Sequence, residues 1–297
     1  MIIVEPLGGL GNQLFVYSLG LANARRLGVD LVADLSNFSG YRWHSYELDS
    51  FQNSISGNFK ARLPRALTKI ISRVDNRTSR LSGHSAFRNL YLETDNQFDS
   101  KFLVVPDGAR LRGYFQSWKY LSPVANELRA TVWALTRPSE WFMAKKEELS
   151  RGGPWIGIHM RLGNYITLPG MGIVPATYYE RALSLLSELG YHFPVVVFSD
   201  SPKLVQEMSI WRSFPQVSFF DSEPANSPIE TMLLMSLAPH LIIGNSSFSW
   251  WAGWLGDMPG RKVTYPRPWI NSKDWDDRDL AVPGWLGISS DNTRDYE

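Results

Sequence analysis

The sequence contains no cysteine in its 297 residues. Disulfide bonds, a thiolate nucleophile and a cysteine-ligated zinc site are therefore excluded. The five histidines show no spacing that is typical of metal ligands. An excess of charge is also absent, because 30 Lys and Arg residues are balanced by 29 Asp and Glu residues. With no global field to attract it, nucleic acid is not an expected partner, and any charged ligand must be recognised locally.

Long apolar runs are absent too, since no stretch approaches the roughly 20 residues that span a bilayer. The N-terminal segment lacks a basic region and predicts a strand, so we expect no signal peptide and a cytoplasmic location. Residues 60–90 differ from the rest, because they carry eight basic side chains against one acid, with apolar residues at helical spacing. They predict either a peripheral contact with anionic lipids at the inner membrane surface or a solvated face of a surface helix.

The chain begins with a β-α-β pattern, which favours a parallel sheet. A strand at 2–7 is followed by a glycine turn, by a helix that ends near Gly28, and by a strand at 29–33. In the second half, predicted strands at 155–159, 195–199, 217–220, 241–244 and 263–265 alternate with predicted helices at 176–189, 202–208, 229–238 and 247–255.

The middle of the chain predicts a domain boundary. A strand is expected at 102–105, and prolines and glycines accumulate between residues 137 and 154. We therefore expect an N-terminal domain at 1–150 and a C-terminal domain at 151–297.

The run from Trp155 to Tyr165 places a histidine and an arginine at the end of a predicted buried strand. Ligands of open α/β sheets bind just past the carboxyl ends of the strands. Arg161 suits a phosphate there because its guanidinium donates paired hydrogen bonds, and a neutral His159 imidazole can accept a proton near pH 7. The alternative is a strand that ends in a solvated arginine and a histidine satisfied by its neighbours.

Two further turns join a predicted strand to a predicted helix. Residues 8–13, Gly-Gly-Leu-Gly-Asn-Gln, offer the N–H groups of a helix N-terminus to an anion, although Leu14 occupies the third glycine position of a dinucleotide-binding motif. Residues 245–247, Asn-Ser-Ser, form a similar anion cradle that needs no metal. Each turn can equally be structural, with glycine for a tight turn in the first and helix capping in the second.

Two acidic segments complete the candidate chemistry. Asp200 lies at the end of the predicted strand 195–199, where a carboxylate can accept two hydrogen bonds from a guanine edge or a ribose diol. It can equally cap the following helix. Asp274 and Asp276 form a D-x-D pair, but the pair lies in a polar tail without a preceding apolar strand. We interpret it as a solvated loop and expect no metal ion there.

In this order, the segments resemble the α-1,2-fucosyltransferase family (glycosyltransferase family 11). The resemblance extends to about residue 270 and depends on 8–13 (GGLGNQ), 113–116 (GYFQ), 159–161 (HMR), Tyr178–Tyr179, 232–235 (MLLM) and 245–252 (NSSFSWWA). It implies a GT-B-like α/β architecture, in which two Rossmann-like domains face each other across a cleft. The N-terminal domain would be on the acceptor side, and the C-terminal domain would bind the GDP-sugar.

The resemblance also implies an activity, the inverting transfer of L-fucose from GDP-fucose to the 2-hydroxyl of a terminal galactoside, without a metal ion or another cofactor. The implied partners are a GDP-sugar donor and a galactose-terminated glycan. His159 and Arg161 are the implied catalytic residues. The implied donor-binding residues are Gly11, Asn12, His159, Arg161, Asp200, Ser201, Ser246, Ser247 and Phe248. The acceptor-side candidates are Gln116, Trp118 and Tyr165.

Three positions depart from the family pattern. Leu162 and Asn164 stand where the family usually has an arginine and an aspartate. Thr231 stands where it tends to have an acid, with Glu230 one residue earlier. The departures leave open two alternatives: another GDP-linked hexose or deoxyhexose as donor, or a protein that binds nucleotide-sugars or glycans with little catalysis. The glycine turn, taken alone, leaves open a dinucleotide-dependent oxidoreductase. The candidates for the general base are His159, Glu47 and Asp34.

Overall fold

A computed structural model describes residues 1–38, 44–48, 59–61, 89–135, 138–163, 172–214, 216–220, 228–270 and 275–290. The chain forms two compact units, unit 1 (Met1–Thr136) and unit 2 (Arg137–Glu297). The domain prediction divided the chain later, between residues 150 and 151. Within the described residues, no helix combines the length and the apolar character needed to cross a membrane. The basic stretch that predicted a lipid contact lies almost entirely outside the described residues.

Unit 1 contains a sheet in which all neighbouring strands are parallel. Its strands are β1 (Ile2–Val4), β2 (Leu31–Ala33), β3 (Phe59–Ala61), β4 (Leu90–Leu92) and β5 (Arg110–Arg112). Its helices are α1 (Leu10–Leu27), α2 (Trp118–Leu121) and α3 (Ala125–Leu135), and 3-10 turns occupy Ser36–Phe38, Ser100–Val104 and Ser122–Val124. The order β3-β2-β1-β5-β4 makes β1 the central strand, and the glycine turn at 8–13 follows it after residues 5–7.

Unit 2 contains a second sheet of parallel strands. Its strands are β6 (Ile156–Met160), β7 (Val195–Ser199), β8 (Val217–Phe219), β9 (His240–Ile242), β10 (Lys262–Arg267) and β11 (Leu286–Ser289). Its helices are α4 (Glu140–Arg151), α5 (Ala176–Glu188), α6 (Pro202–Gln206), α7 (Pro228–Ser236) and α8 (Ser247–Leu255), with a 3-10 turn at Ser209–Ser213. The strand order is β11-β10-β9-β6-β7-β8.

Helix α1 is buried along most of its length because it packs closely on the sheet of unit 1. Leu14 and Tyr17, two of the apolar positions predicted at helical spacing, are at most 1% exposed. Gly20 permits the close approach, since a Cβ atom there would lie 2.4 Å from Val4 Cγ1. The helix is followed by Gly28, whose left-handed φ of +66° suits glycine.

The core of unit 2 is formed by the central strands with helices α5 and α8. Ile158 of β6 and Tyr178 of α5 are fully buried together. Helix α8 contributes Trp250 and Trp251, which are also fully buried, and the Trp250 indole N–H donates to the Leu280 carbonyl at 2.8 Å. These tryptophans therefore pack the core.

One predicted element differs from the structure, and a helix lies in a stretch for which no element was predicted. The prediction of a strand at 102–105 is wrong, because residues 102–104 lie in the 3-10 turn Ser100–Val104, which Asp99 caps. The proline- and glycine-rich stretch 137–154 contains helix α4, which the Ser139 hydroxyl caps. In both segments a capping side chain stands at the start of the element, and apolar spacing does not reveal it.

Candidate active site

The carboxyl edge of the sheet in unit 2 brings three predicted segments together. β6 pairs with β7 on one side and with β9 on the other, so the residues that follow these strands emerge at one edge. The chain also changes direction across the sheet here, since β7 and β8 continue to one side of β6 while β9, β10 and β11 continue to the other. This is the position at which open α/β sheets bind their ligands.

Arg161 and Asp200 form an ion pair at this edge, with 3.0 Å between Arg161 Nη1 and Asp200 Oδ2. Asp200 Oδ1 also accepts hydrogen bonds from the backbone N–H groups of Leu162 and Gly163, at 3.0 and 3.3 Å. The Asp200 carboxylate packs closely on Gly163, since a Cβ atom there would lie 2.1 Å from Asp200 Oδ2 and would displace the carboxylate. Asp200 therefore stabilises the loop after β6, and this role replaces the helix cap that was its alternative interpretation.

His159 is buried at the end of β6, with 5% of its surface exposed. Burial lowers the pKa of the imidazole to about 4, and the nearby Asp200 carboxylate opposes this only in part. The ring is therefore neutral at pH 7 and a weaker base than an ordinary histidine. Its centroid lies 5.8 Å from that of the Phe248 ring, and Nδ1 has no hydrogen-bond partner among the described residues. A buried ring nitrogen without a partner needs an explanation, and a hydrogen bond to a bound ligand or water is one.

Helix α8 presents its N-terminus at the same edge. The Ser246 hydroxyl caps it by accepting a hydrogen bond from the Phe248 N–H at 3.3 Å. The Asn245 amide donates to the Gly172 carbonyl at 3.0 Å. Ser247 is half-buried in the first turn, where N–H groups have no acceptor within the helix itself. The turn is thus a helix cap, as one interpretation predicted, and its geometry remains suited to an anion.

Contacts within unit 2 explain one position that departs from the family pattern, Leu162, and give a role to Glu230, which precedes the departing Thr231. Leu162 packs against the apolar core that includes Ile158. Glu230 is 4% exposed and accepts hydrogen bonds from the Ser139 N–H and hydroxyl, both at 2.8 Å. Glu230 therefore attaches the start of α4 to α7. Asn164 and Tyr165 lie outside the described residues.

In unit 1, the glycine turn brings Asn12 next to Gln116. Gly8 has a left-handed φ of +69°, and a Cβ atom there would lie 2.6 Å from Asn12 Nδ2, so this position requires glycine. Gln116 Nε2 donates a hydrogen bond to Asn12 Oδ1 at 2.7 Å. The structure thus joins a predicted donor-binding residue to a predicted acceptor-side residue. Gly11 is buried in α1, and Trp118 is half-buried at the start of α2.

The other two candidates for the general base lie in unit 1. Asp34 pairs with Arg110 at 2.6 Å, which favours a structural role. The Glu47 carboxyl accepts a hydrogen bond from the Leu10 N–H at the start of α1, and burial raises its pKa. Sequence reasoning missed that segment 44–48 lies against the glycine turn. No signal pointed to it, because the contact joins distant segments and follows no periodicity.

The described residues contain no group of three or more His, Asp or Glu side chains that could hold a metal ion. Asp276, from the D-x-D pair, forms an ion pair with Arg278 at 2.6 Å. Ser201 stands at the N-cap position of α6, directly after Asp200, and its N–H donates to the Ser199 hydroxyl at 3.0 Å.

A family model described as Glycosyl transferase family 11 matches residues 89–289, which is more than half of the chain. The chain belongs to glycosyltransferase family 11. The family predicted from the sequence motifs is therefore confirmed, and the protein is a glycosyltransferase. This family 11 enzyme is similar to the O-antigen biosynthesis glycosyltransferase WbnK of Escherichia coli, at 25% identity over 307 residues, covering 95% of this chain and 98% of the relative.

Two further comparisons concern the linkage and the fold. An alpha-1,2-colitosyltransferase of Escherichia coli is 26% identical over 298 residues, covering 97% of this family 11 chain and 99% of the relative. A variant of FUT1 from Arabidopsis thaliana, solved in complex with GDP, has a TM-score of 0.51 at 13% identity, covering 89% of this chain and 69% of that one. Together with the two parallel sheets, this likeness confirms the predicted GT-B-like α/β class.

Proposed function

We propose that this enzyme transfers L-fucose from GDP-fucose to the 2-hydroxyl of a terminal galactoside, with inversion and without a metal ion. The proposal is carried by Arg161, which lies at the carboxyl edge of the sheet in unit 2 near the N-terminus of α8. The sequence motifs support the donor and the acceptor. The α-1,2 linkage in the name of the colitosyltransferase relative supports the site of attachment.

The chemistry of the reaction requires positive donors at the leaving group. When the sugar departs from GDP, negative charge develops on the diphosphate and positive charge on the sugar ring. The Arg161 guanidinium can donate paired hydrogen bonds to phosphate oxygens, and the first-turn N–H groups of α8 add donors in a fixed orientation. Donors held in place in this way stabilise the transition state more than the ground state. They would supply the charge stabilisation that a metal ion supplies elsewhere.

Three side chains have supporting roles in this proposal. Asp200 orients the Arg161 guanidinium through their ion pair. His159, neutral at pH 7, offers its buried ring to the nucleotide rather than acting as the general base. Glu47 remains a candidate for the general base, since burial raises the pKa of its carboxyl and a carboxyl with a raised pKa is a stronger base than an ordinary one.

A colitose donor is the second candidate, and the relative named for that sugar favours it. Both candidates are tested by incubating the purified protein with GDP-fucose or GDP-colitose and a β-galactoside, with the matching 2-deoxygalactoside as control. We expect one donor to give an α-1,2-linked product, detected by NMR, with the same rate after addition of a chelator. The 2-deoxy acceptor should give none.

Three results would contradict the proposal. Transfer to the 2-deoxy acceptor would exclude the 2-hydroxyl as nucleophile. Loss of activity on chelation would exclude the metal-free mechanism. GDP binding by calorimetry without turnover on either donor would favour a nucleotide-sugar-binding protein instead.

A further inference from the structure

One carboxylate holds the turn 113–116 of unit 1. Glu93, which follows β4, accepts a hydrogen bond from the Tyr114 N–H at 2.6 Å through Oε2, and from the Phe115 N–H at 3.0 Å through both oxygens. Gly113 is required beside it, since a Cβ atom there would lie 2.4 Å from Glu93 Cβ. The close packing of the Glu93 side chain against the turn therefore depends on glycine at position 113.

The turn holds a backbone conformation that its sequence alone would not favour. Phe115 has a φ of +51°, in the left-handed region that bulky residues rarely adopt. Its ring is fully buried against Phe102 and Tyr120, at centroid distances of 5.0 and 5.9 Å. Such a conformation persists only where the surroundings determine it, and here the Glu93 hydrogen bonds and the aromatic packing do so.

The turn also orients Gln116, the residue that follows Phe115. The Gln116 amide donates to Asn12 Oδ1 at 2.7 Å, so the two amides lie side by side at the glycine turn. Paired amides present donors and acceptors together, which suits the neighbouring hydroxyls of a sugar. Tyr114, 45% exposed, stands in the same turn and offers an aromatic surface.

We propose that Glu93 is a positioning residue for the acceptor sugar. It fixes the turn 113–116, and the turn holds the Gln116 and Asn12 amides in the orientation that binds the sugar hydroxyls. Glu93 itself touches no substrate. The inference rests on the proposed function, because the acceptor is taken to be a galactoside.

The test compares the full-length wild type with Glu93→Ala, Glu93→Gln, Gln116→Ala and the double variant Glu93→Ala/Gln116→Ala. Asp95→Asn is the matched control, because Asp95 lies two residues away and accepts from the Gln97 N–H instead. The measurements are the acceptor KM, the galactoside Kd of the GDP-loaded protein by NMR, the GDP affinity by calorimetry, and the melting temperature.

We expect Glu93→Ala to raise the acceptor KM and the galactoside Kd about tenfold, with a smaller change in GDP affinity. Glu93→Gln keeps one acceptor oxygen and should show a smaller rise, while Asp95→Asn should match the wild type. Because Glu93 acts through Gln116, the double variant should bind no more weakly than Gln116→Ala.

Several outcomes would overturn the positioning role. One is a wild-type acceptor KM in folded Glu93→Ala, or in Glu93→Gln if the alanine variant does not fold. Another is a lower melting temperature with unchanged KM, which indicates stability alone. A third is additive losses in the double variant. The proposed function fails separately, in the wild type, if that protein neither transfers to galactosides nor binds them.

Discussion

Both units carry charged side chains at the carboxyl edge of a parallel sheet, but they pair them differently. In unit 1, Glu5 and Asp34 follow β1 and β2, and Arg110 of β5 contacts them at 2.8 and 2.6 Å. Both acid side chains are 3% exposed. In unit 2, the Arg161 side chain remains 27% exposed and pairs with Asp200, itself 22% exposed.

The difference separates a structural cluster from a candidate ligand site within one fold class. The two acids of unit 1 are buried together with Arg110, whose side chain is 12% exposed, and Arg112, 28% exposed, also pairs with Glu5 at 2.8 Å, so each acid has an arginine partner. The pair in unit 2 is accessible and lies near a helix N-terminus and a buried neutral imidazole. Because the two sheets share their architecture, the fold alone does not identify the site, and burial with charge pairing does.

The largest expected effect comes from breaking the cluster of unit 1. Arg110→Met would leave Asp34 buried without a counter-charge, while Glu5 keeps its pairing with Arg112, and such a loss destabilises a protein by about 3–5 kcal/mol. Urea unfolding measures this change. Arg25→Met is the matched control, because the Arg25–Glu127 pair is exposed and should contribute less than about 1 kcal/mol. Equal losses in the two variants would show that burial does not distinguish these pairs.

The next effect concerns the pair in unit 2. Arg161→Ala should lower the transfer rate by about 10²–10³-fold, the loss typical of removing one donor from a developing charge. The free energy of unfolding should change by less than about 1 kcal/mol, since Asp200 keeps its two backbone donors. Steady-state kinetics and urea unfolding measure both quantities, with the exposed Arg151→Ala as control. A variant that unfolds like Arg110→Met would place Arg161 among the structural residues.

The ion pair of unit 2 shows which features of the site can be predicted from the sequence and which cannot. β6 was predicted at 155–159 and is found at Ile156–Met160, because its apolar run reports burial directly. The partner of Arg161 was not predicted. It depends on register: His159 lies opposite Phe198, so the positions two residues later, Arg161 and Asp200, face each other. A single sequence does not specify the register of parallel strands.

The contacts of Glu93 and Glu230 could likewise not be predicted from the sequence. Each carboxylate binds backbone or hydroxyl groups of a distant segment, at the turn 113–116 and at Ser139. The sequence motifs identified the turn but not the side chain that holds it. Helix α8, in contrast, was predicted at 247–255 and has those bounds, because its start and its apolar residues are local features.

A third prediction concerns His159 and the pH dependence of stability. Its folded pKa of about 4 lies below the ordinary 6.5, so the folded state favours the neutral ring. The stabilisation is complete above about pH 6.5 and is lost as the pH falls towards 4, by about 3 kcal/mol in total. Urea unfolding across this range should show that loss in the wild type but not in His159→Phe. The exposed His192→Phe should follow the wild type, and identical curves for all three proteins would contradict the burial effect.

The smallest expected effect concerns Leu162 and tests whether the candidate site extends beyond Arg161. Leu162 follows Arg161 directly but packs against the core, so Leu162→Ala removes apolar contacts of a partly exposed side chain and no ligand donor. The free energy of unfolding should fall by about 1 kcal/mol, less than for a fully buried leucine, while transfer kinetics stay within about twofold of the wild type. A tenfold loss of transfer at unchanged stability would mean that Leu162 contacts the donor. In that case the leucine in place of the family arginine would change substrate recognition. If the predicted result is found, the leucine instead contributes only to packing. Arg161 then provides the single guanidinium of this motif.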